Sequence, residues 1–259
     1  MTGADIRNEL KQSGGNLVFP DVTTRWLADQ SSGSLILPTH YYGKTAIKRV
    51  HSELLTGNST VFSTTANLGL EYPGRLLVIC VGVVATSNAS QIFTSGNIIL
   101  GDLSVPASNG PGQAWFNGGV NILTGIVWGT TTGTTRGFQM TCNQNMANLQ
   151  LVIYSVAGTQ GSAQNSSGSG SNTSASTTLN VTAGIGGGVV IMSGLKASAP
   201  GQSFTYTSGA NKDTDQDIGN NVRYSTGFLN RIATNASHGL SWTCGGAANI
   251  CAVAGVTFS

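Results

Sequence analysis

Charge is what this chain has least of. Lys and Arg number 12 and Asp and Glu 10, so only 8% of the 259 residues are charged, against a norm of about 25%. The formal net charge of +2 offers no basic stripe for a phosphate backbone, which excludes nucleic acid as the expected partner. From Leu76 to Leu195 only Asp102 and Arg136 interrupt a neutral chain. A body with so little charge has weak colloidal repulsion and is expected to live in an assembly, as a homo-oligomer or among other proteins. Long apolar runs are also missing. The longest, Leu76 to Ala85, is half of what a bilayer-spanning helix requires, so no membrane span is expected. The first residues, Met1 to Lys11, lack the apolar stretch and small-residue cleavage site of a secretory signal, so ordinary export is not expected. Histidines are few: His40, His51 and His238. None stands beside an acidic residue or in a nucleophile motif of the Gly-x-Ser-x-Gly kind. Carboxylate pairs for glycosidic cleavage are scarce as well. The expectation is therefore a non-enzymatic protein without catalytic residues, cofactor or metal.

Gly, Ser, Thr and Asn fill the space that charge leaves. With 39% hydrophobic residues the chain is no disordered polymer, which would pair low hydrophobicity with high net charge. The composition is that of many short strands joined by small-residue turns, an all-β fold.

Residues 1–60 read differently, as a polar arm with short helices. Ile6 and Leu10 share one face of a possible helix that Ser13-Gly14-Gly15 ends, and Asp21 is placed to cap a turn carrying Trp26 and Leu27. The clearest helical spacing runs from Thr45 to Leu55, with Ile47, Val50, Leu54 and Leu55 on one stripe. Helices this short are marginal alone and must dock, either on the chain's own body or on a neighbouring subunit or larger host structure. Beyond Val61 the period changes. Leu76 to Ala85 follows the turn Tyr72-Pro73-Gly74 and reads as a strand buried on both faces. Further strands are expected at 96–100, 120–128, 137–142 and 149–156, with turns at 107–112 and 129–133. Residues 158–178 are Gly/Ser/Asn/Thr-rich and read as a flexible linker or loop.

An internal repeat orders these pieces. Gly137-Phe-Gln-Met-Thr-Cys142 followed by Asn148-Leu-Gln-Leu-Val152 returns as Gly239-Leu-Ser-Trp-Thr-Cys244 followed by Asn249-Ile-Cys-Ala-Val253. Val78-Ile-Cys-Val-Gly82 finds a weaker echo in Val190-Ile-Met-Ser-Gly194. The expectation is two tandem, related, antiparallel β-sandwich units of jelly-roll type, 61–157 and 179–259, behind the arm and separated by the linker. Units of about 80 residues bury only about 60–65% of their unfolded surface. Contact between them, or between chains, would supply what is missing.

Few residues invite chemistry. Asp213, Asp215 and Asp217 alternate as calcium-loop ligands do, yet Gly219 arrives one place late and Tyr224 stands where a bidentate Glu should be. A solvated loop is the competing reading. Cys244 and Cys251 are the disulfide candidates. If Ile250 points inward as Leu149 should, Cys251 points outward like Gln150, which argues for reduced thiols, with Cys80, Cys142 and Cys244 as small core residues. Gly184-Ile-Gly186-Gly-Gly188 is followed by strand rather than helix and reads as a turn or bulge, not a phosphate loop. Asn-x-Ser/Thr triplets, as at Asn58 and Asn235, arise by composition. Trp115-Phe116, in a Gly/Pro-rich loop, and His40-Tyr41-Tyr42, in the arm, are candidate interface anchors.

The arm up to Leu55, the charge-poor Gly/Ser/Thr-rich body and the paired Thr-Cys strand ends at Cys142 and Cys244 resemble the structural proteins of tailed bacteriophage particles. The resemblance implies a virion component, decorating a capsid or belonging to a tail or fibre, assembled in the host cytoplasm. Its arm would anchor it to other virion proteins while the sandwich is displayed outward. The alternative is a carbohydrate-binding or adhesive module that contacts a host surface glycan through residues such as Trp115.

Overall fold

A computed structural model describes residues 47–72, 74–85, 95–106, 110–117, 120–157, 163–171, 175–182, 188–198, 204–206, 210–232, 237–244 and 248–258. Among the described residues every regular element is a strand. In chain order these are β1 (Ile47–Asn67), β2 (Leu76–Ala85), β3 (Ser95–Leu100), β4 (Leu103–Pro106), β5 (Gly112–Asn117), β6 (Val120–Gly129), β7 (Thr135–Val156) and β8 (Ala163–Ser171). They continue as β9 (Ala175–Thr182), β10 (Gly188–Ser198), β11 (Thr205–Tyr206), β12 (Asn211–Asp217), β13 (Val222–Ile232), β14 (Ser237–Cys244) and β15 (Ala248–Phe258). All pairings are antiparallel.

The strands form a seven-stranded, a five-stranded and a three-stranded sheet. The largest sheet doubles over on itself, because β1 and β7 stay paired from Ile47↔Val156 to Asn67↔Thr135 through a kink where β1 slips register between Thr56 and Val61. The later half of β7 pairs with β2, and its earlier half with β3. One layer therefore runs β1-β7-β2-β6-β5, and the folded-back layer runs β1-β7-β3-β4. The five-stranded sheet runs β8-β15-β10-β13-β12, and the three-stranded sheet β9-β14-β11. Taken strand for strand in chain order, the second pair of layers repeats the first. β8 and β9 stand where the two halves of β1 stand, and β14 and β15 where the two halves of β7 stand.

Side-chain alternation places the cores between these layers. On β2, Leu77, Ile79, Val81 and Val83 face the folded-back layer, meeting Phe62, Ile98, Phe138 and Met140. Leu76, Val78 and Cys80 point the opposite way, onto Val189, Ile191, Tyr224, Ala252 and Val256 of the second pair of layers. Beyond that sheet Val190, Met192, Cys251 and Val253 meet Leu179 and Phe204. The two middle sheets are thus covered on both faces, which is why Leu76 to Val84 is apolar without a break. At Gly82 an added Cβ would stand 2.2 Å from the Tyr224 ring, so glycine leaves the notch that this ring fills.

Three expectations are corrected here. Residues 47–55 are strand, not helix, because β1 pairs along its whole length with β7 and a bulge lies between Arg49 and His51. The apolar spacing looks helical because it mixes the two faces of the strand, three residues apart from Ile47 to Val50 and adjacent from Leu54 to Leu55. Ile47 enters the core between the middle sheets, Val50 and Leu55 pack on the other face, and Leu54 is exposed. The folded body therefore already includes residues 47–60. The expected linker also holds strands, β8 and β9. Its small residues suit a close approach, since a Cβ at Gly168 would lie 3.3 Å from the Gly112 carbonyl oxygen of β5. The strands expected at 137–142 and 149–156 are the two ends of one strand, β7. The helices expected near Ile6 and Trp26 lie outside the described residues.

Candidate functional site

The polar groups that sequence singles out are dispersed, and Asp213 alone of the three carboxylates joins a wider polar constellation among the described residues. It lies in the seam between the two middle sheets. Tyr154 of β7 donates its hydroxyl to Asp213 Oδ2 at 2.7 Å and stands 2.6 Å from Thr226 Oγ1 of β13. Thr226 in turn meets the Thr214 hydroxyl at 2.8 Å, and Thr214 accepts from the Thr226 backbone N–H at 2.9 Å. With the tyrosine proton on Asp213, one assignment satisfies every group: Thr214 donates to Thr226 and Thr226 to Tyr154. Arg49 closes the outer end, 3.3 Å from Asp213 Oδ2. A second cluster joins Thr124 of β6 to Ser193 of β10 at 2.8 Å and Ser193 to the Tyr224 hydroxyl at 2.9 Å. A third runs from the Tyr206 hydroxyl to Ser225 at 2.7 Å, and Ser225 donates to the Thr214 carbonyl at 2.5 Å.

Burial sets the chemistry of this seam. It pushes the Tyr154 hydroxyl well above its ordinary pKa, with Cys80 and Asp213 adding to the rise. Tyr206 and Tyr224 are raised in the same way, first by burial. These phenols stay protonated; Tyr154 donates across the seam to Asp213, whereas Tyr224 accepts from Ser193 within its own sheet. Replacing Tyr154 by phenylalanine is expected to cost about 1–2 kcal/mol, since Thr226 keeps Thr214 and Asp213 keeps Arg49, so little is left unpaired. Chemical denaturation of the two proteins measures it. No cost would mean that the seam carries no stability.

The three carboxylates expected as metal ligands or as a solvated loop instead lie on the edge strand β12, each with its own partner. Asp213 takes Tyr154 and Arg49, Asp215 takes Arg223 and Lys212, and Asp217 accepts the Gly219 N–H at 2.7 Å. A register slip between Lys212 and Thr214 breaks the alternation that would have aimed them together. Among the described residues no three His, Cys, Asp or Glu side chains come together to hold a metal.

His51 does have an acidic neighbour, which the strand brings into reach and a helix would not. Its Nε2 lies 3.2 Å from Glu53 Oε2, and its Nδ1 accepts the Asn67 N–H at 3.2 Å. The Thr64 hydroxyl donates to the same carboxylate at 2.9 Å. Both ring nitrogens are thereby occupied, and the threonine faces the acid rather than the imidazole, so the group ties the two halves of β1 together instead of forming a nucleophile–base pair. His238 lies within β14.

Cys251 is a fully buried cysteine that faces the core beneath the three-stranded sheet, not solvent. Gln150, its supposed wet counterpart, is buried too. Both faces of a middle sheet are covered, so neither has an outside to point to. Ile250 faces the other middle sheet, whereas Leu149 faces the folded-back layer, so the sequence match between these strands is one residue out of phase with the packing. Cys80 and Cys142 are buried and free. Burial raises the Cys80 thiol far above its ordinary value and pushes Cys142 up to about 12, which leaves neither reactive.

Arg75 was not singled out by sequence, and nothing short of the turn geometry would have found it. It follows Gly74, whose φ of 75° suits glycine alone. Its guanidinium is buried under two loops. Nη1 donates to the carbonyls of Leu68, Gly69 and Leu70, and Nη2 to those of Thr131 at 2.7 Å and Gly133 at 2.8 Å. Glu71 accepts the Gly133 N–H from the opposite side at 2.7 Å. Trp115 and Phe116 fall on β5, where Trp115 pairs with Ile122, rather than in a loop. His40, Tyr41 and Tyr42 lie outside the described residues, as do residues 184–187.

Compared with known proteins, the chain matches no family model and no curated sequence.

Proposed function

We propose that this chain is a structural, non-enzymatic component of a bacteriophage virion, built from two related β-sandwich units of jelly-roll type, residues 47–157 and 163–258. The segment before Ile47 attaches the folded body to other virion proteins or to further copies of itself. The observation that carries this reading is the stack of four sheet layers in which the polar groups of the interior serve to join layers. The Tyr154–Thr226 and Thr124–Ser193 contacts connect the middle sheets, and Arg75 connects two loops. The outward side of the folded-back layer supports the same reading. Ser63 and Thr65 of β1, Gln139 and Thr141 of β7 and Asn97 and Ile99 of β3 alternate with core residues and carry no charge. An uncharged sheet face suits packing in an ordered lattice better than life free at high concentration.

Contact between the two units supplies the burial that each would lack alone. Assembly is therefore not required for folding, and its support is the scarcity of charge. The test is to locate the chain in purified particles by mass spectrometry and then to delete residues 1–46, leaving β1 whole. Loss of particle binding with an unchanged thermal transition is expected. Binding that survives this deletion would remove the anchoring role, and absence from particles would remove the virion role.

A further inference from the structure

His51 and Glu53 share one face of β1, because their partners in β7, Ile153 and Leu151, both point toward the folded-back layer. The same face carries the exposed Lys48, opposite Ser155. Among the described residues β1 pairs with β7 alone, so these side chains stand at the margin of the sheet pair. There the outer half of β1 returns over the inner half, and the imidazole bridges the two. Its hydrogen bonds fix its tautomer. The Asn67 backbone N–H can only donate, so Nδ1, 3.2 Å away, must accept and carries no proton. Nε2 therefore holds the proton of the neutral ring and donates it to Glu53 Oε2 at 3.2 Å, where the Thr64 hydroxyl also donates at 2.9 Å. Asn67 in turn organises the turn that follows, since its Oδ1 accepts the Gly69 N–H at 2.8 Å.

We infer that His51 is a proton-operated latch on the outer half of β1, holding the Asn67 amide when neutral and releasing it when charged. A second proton can enter only at Nδ1, because Nε2 already carries one. Nδ1 is then a donor facing a donor, and the bond to Asn67 is lost. The bond to Glu53 survives as an ion pair. Gain and loss oppose each other, so acid frees this one link while β1 stays paired with β7. The turn beyond keeps the Leu68 N–H on the Thr134 carbonyl and Arg75 on the carbonyls of Leu68, Gly69 and Leu70. The other charges around the ring are few. From β7 it meets the apolar Leu151 and Ile153, and Phe138 stands opposite Thr64. Lys48 lies on the ring's own strand, while Arg75 and Glu71 are engaged with backbone groups of the neighbouring loops. Among the described residues Glu53 is the charged group bonded to the ring. Histidine ordinarily changes charge between about pH 5 and 8, so a latch of this kind answers to mild acid. The inference concerns the fold of one chain and does not depend on a role in a particle.

The test is nuclear magnetic resonance of the full, isotope-labelled chain between about pH 8 and about pH 5. At the upper end the His51 ring is expected to show an unprotonated Nδ1, coupled through the hydrogen bond to the Asn67 amide nitrogen. As the ring takes its second proton, that coupling should vanish and the Asn67 amide proton should move upfield in step with the ring signals. His51→Phe removes the acceptor at every pH, so its Asn67 amide proton should lie upfield throughout and no longer respond. The chain also contains His40 and His238, so an Asn67 response that survives His51→Phe would overturn the assignment to this ring. A proton on Nδ1 at about pH 8 would overturn it too, as would a ring that gains its second proton while the Asn67 signal stands still. A ring that takes up no second proton before the chain unfolds would remove the latch. Should the phenylalanine variant fail to fold, the coupling in the parent chain decides alone.

Discussion

Replacing Arg75 by methionine is expected to lower the stability of the folded chain by about 3–5 kcal/mol, measured by chemical denaturation. The side chain is 4% exposed, and its guanidinium is shared among five backbone carbonyls from two loops. Each buried acceptor left without a donor costs about 1–3 kcal/mol, and partial access of water to the loosened loops offsets some of the sum. Burial also lowers the guanidinium below its ordinary pKa, with nearby Tyr72 and Glu71 opposing that shift. Arg75→Lys is not conservative here. Three ammonium donors on one point cannot span the carbonyls of Leu68 and Gly133 as a planar fork does, so lysine should recover less than half of the loss. A methionine variant as stable as the parent would show that the two loops hold without their clamp.

Replacing Gly82 by alanine is expected to cost about 2–3 kcal/mol, although it adds a single methyl group. The position has no room, because the Cβ would fall 2.2 Å from Tyr224 Cδ2 and 2.5 Å from Cε2. The ring cannot retreat easily: Tyr224 is fully buried, and its hydroxyl accepts from Ser193 at 2.9 Å. A double-mutant cycle tests the cause directly. If the notch is the reason, Tyr224→Leu should absorb most of the cost of Gly82→Ala, giving a coupling of about 1–3 kcal/mol. Additive losses would mean that the glycine serves its own backbone rather than the ring.

How much of this was legible beforehand depends on how far apart the deciding contacts lie. The strand Leu76 to Ala85 is identical in sequence reading and structure, because nine consecutive buried positions leave an unbroken apolar run. The Gly137–Val152 pattern and its return at Gly239–Val253 both fall on strands, although Leu149 and Ile250 face different layers. The error at 47–55 has a local cause, since apolar residues from both faces of β1 together mimic helical spacing. The error at 163–171 has a distant one. Gly and Ser carry weak strand propensity, and the pairing of β8 with β15 overrides it. The hydroxyl seam was invisible because its members, Thr124, Tyr154, Ser193, Thr214 and Thr226, are separated by up to 102 residues and look like ordinary strand residues one at a time.

Sequence alone determined the class of the fold. Alternation, turn residues and scarce charge are local properties, and they suffice to make strands. Tertiary structure decided which faces of those strands are inside. A strand has two faces, and whether one or both are covered depends on what lies above and below, which no window of neighbouring residues records. That second covering turned Cys251 inward, drew Gln150 out of water and made Gly82 a socket for a ring 142 residues away.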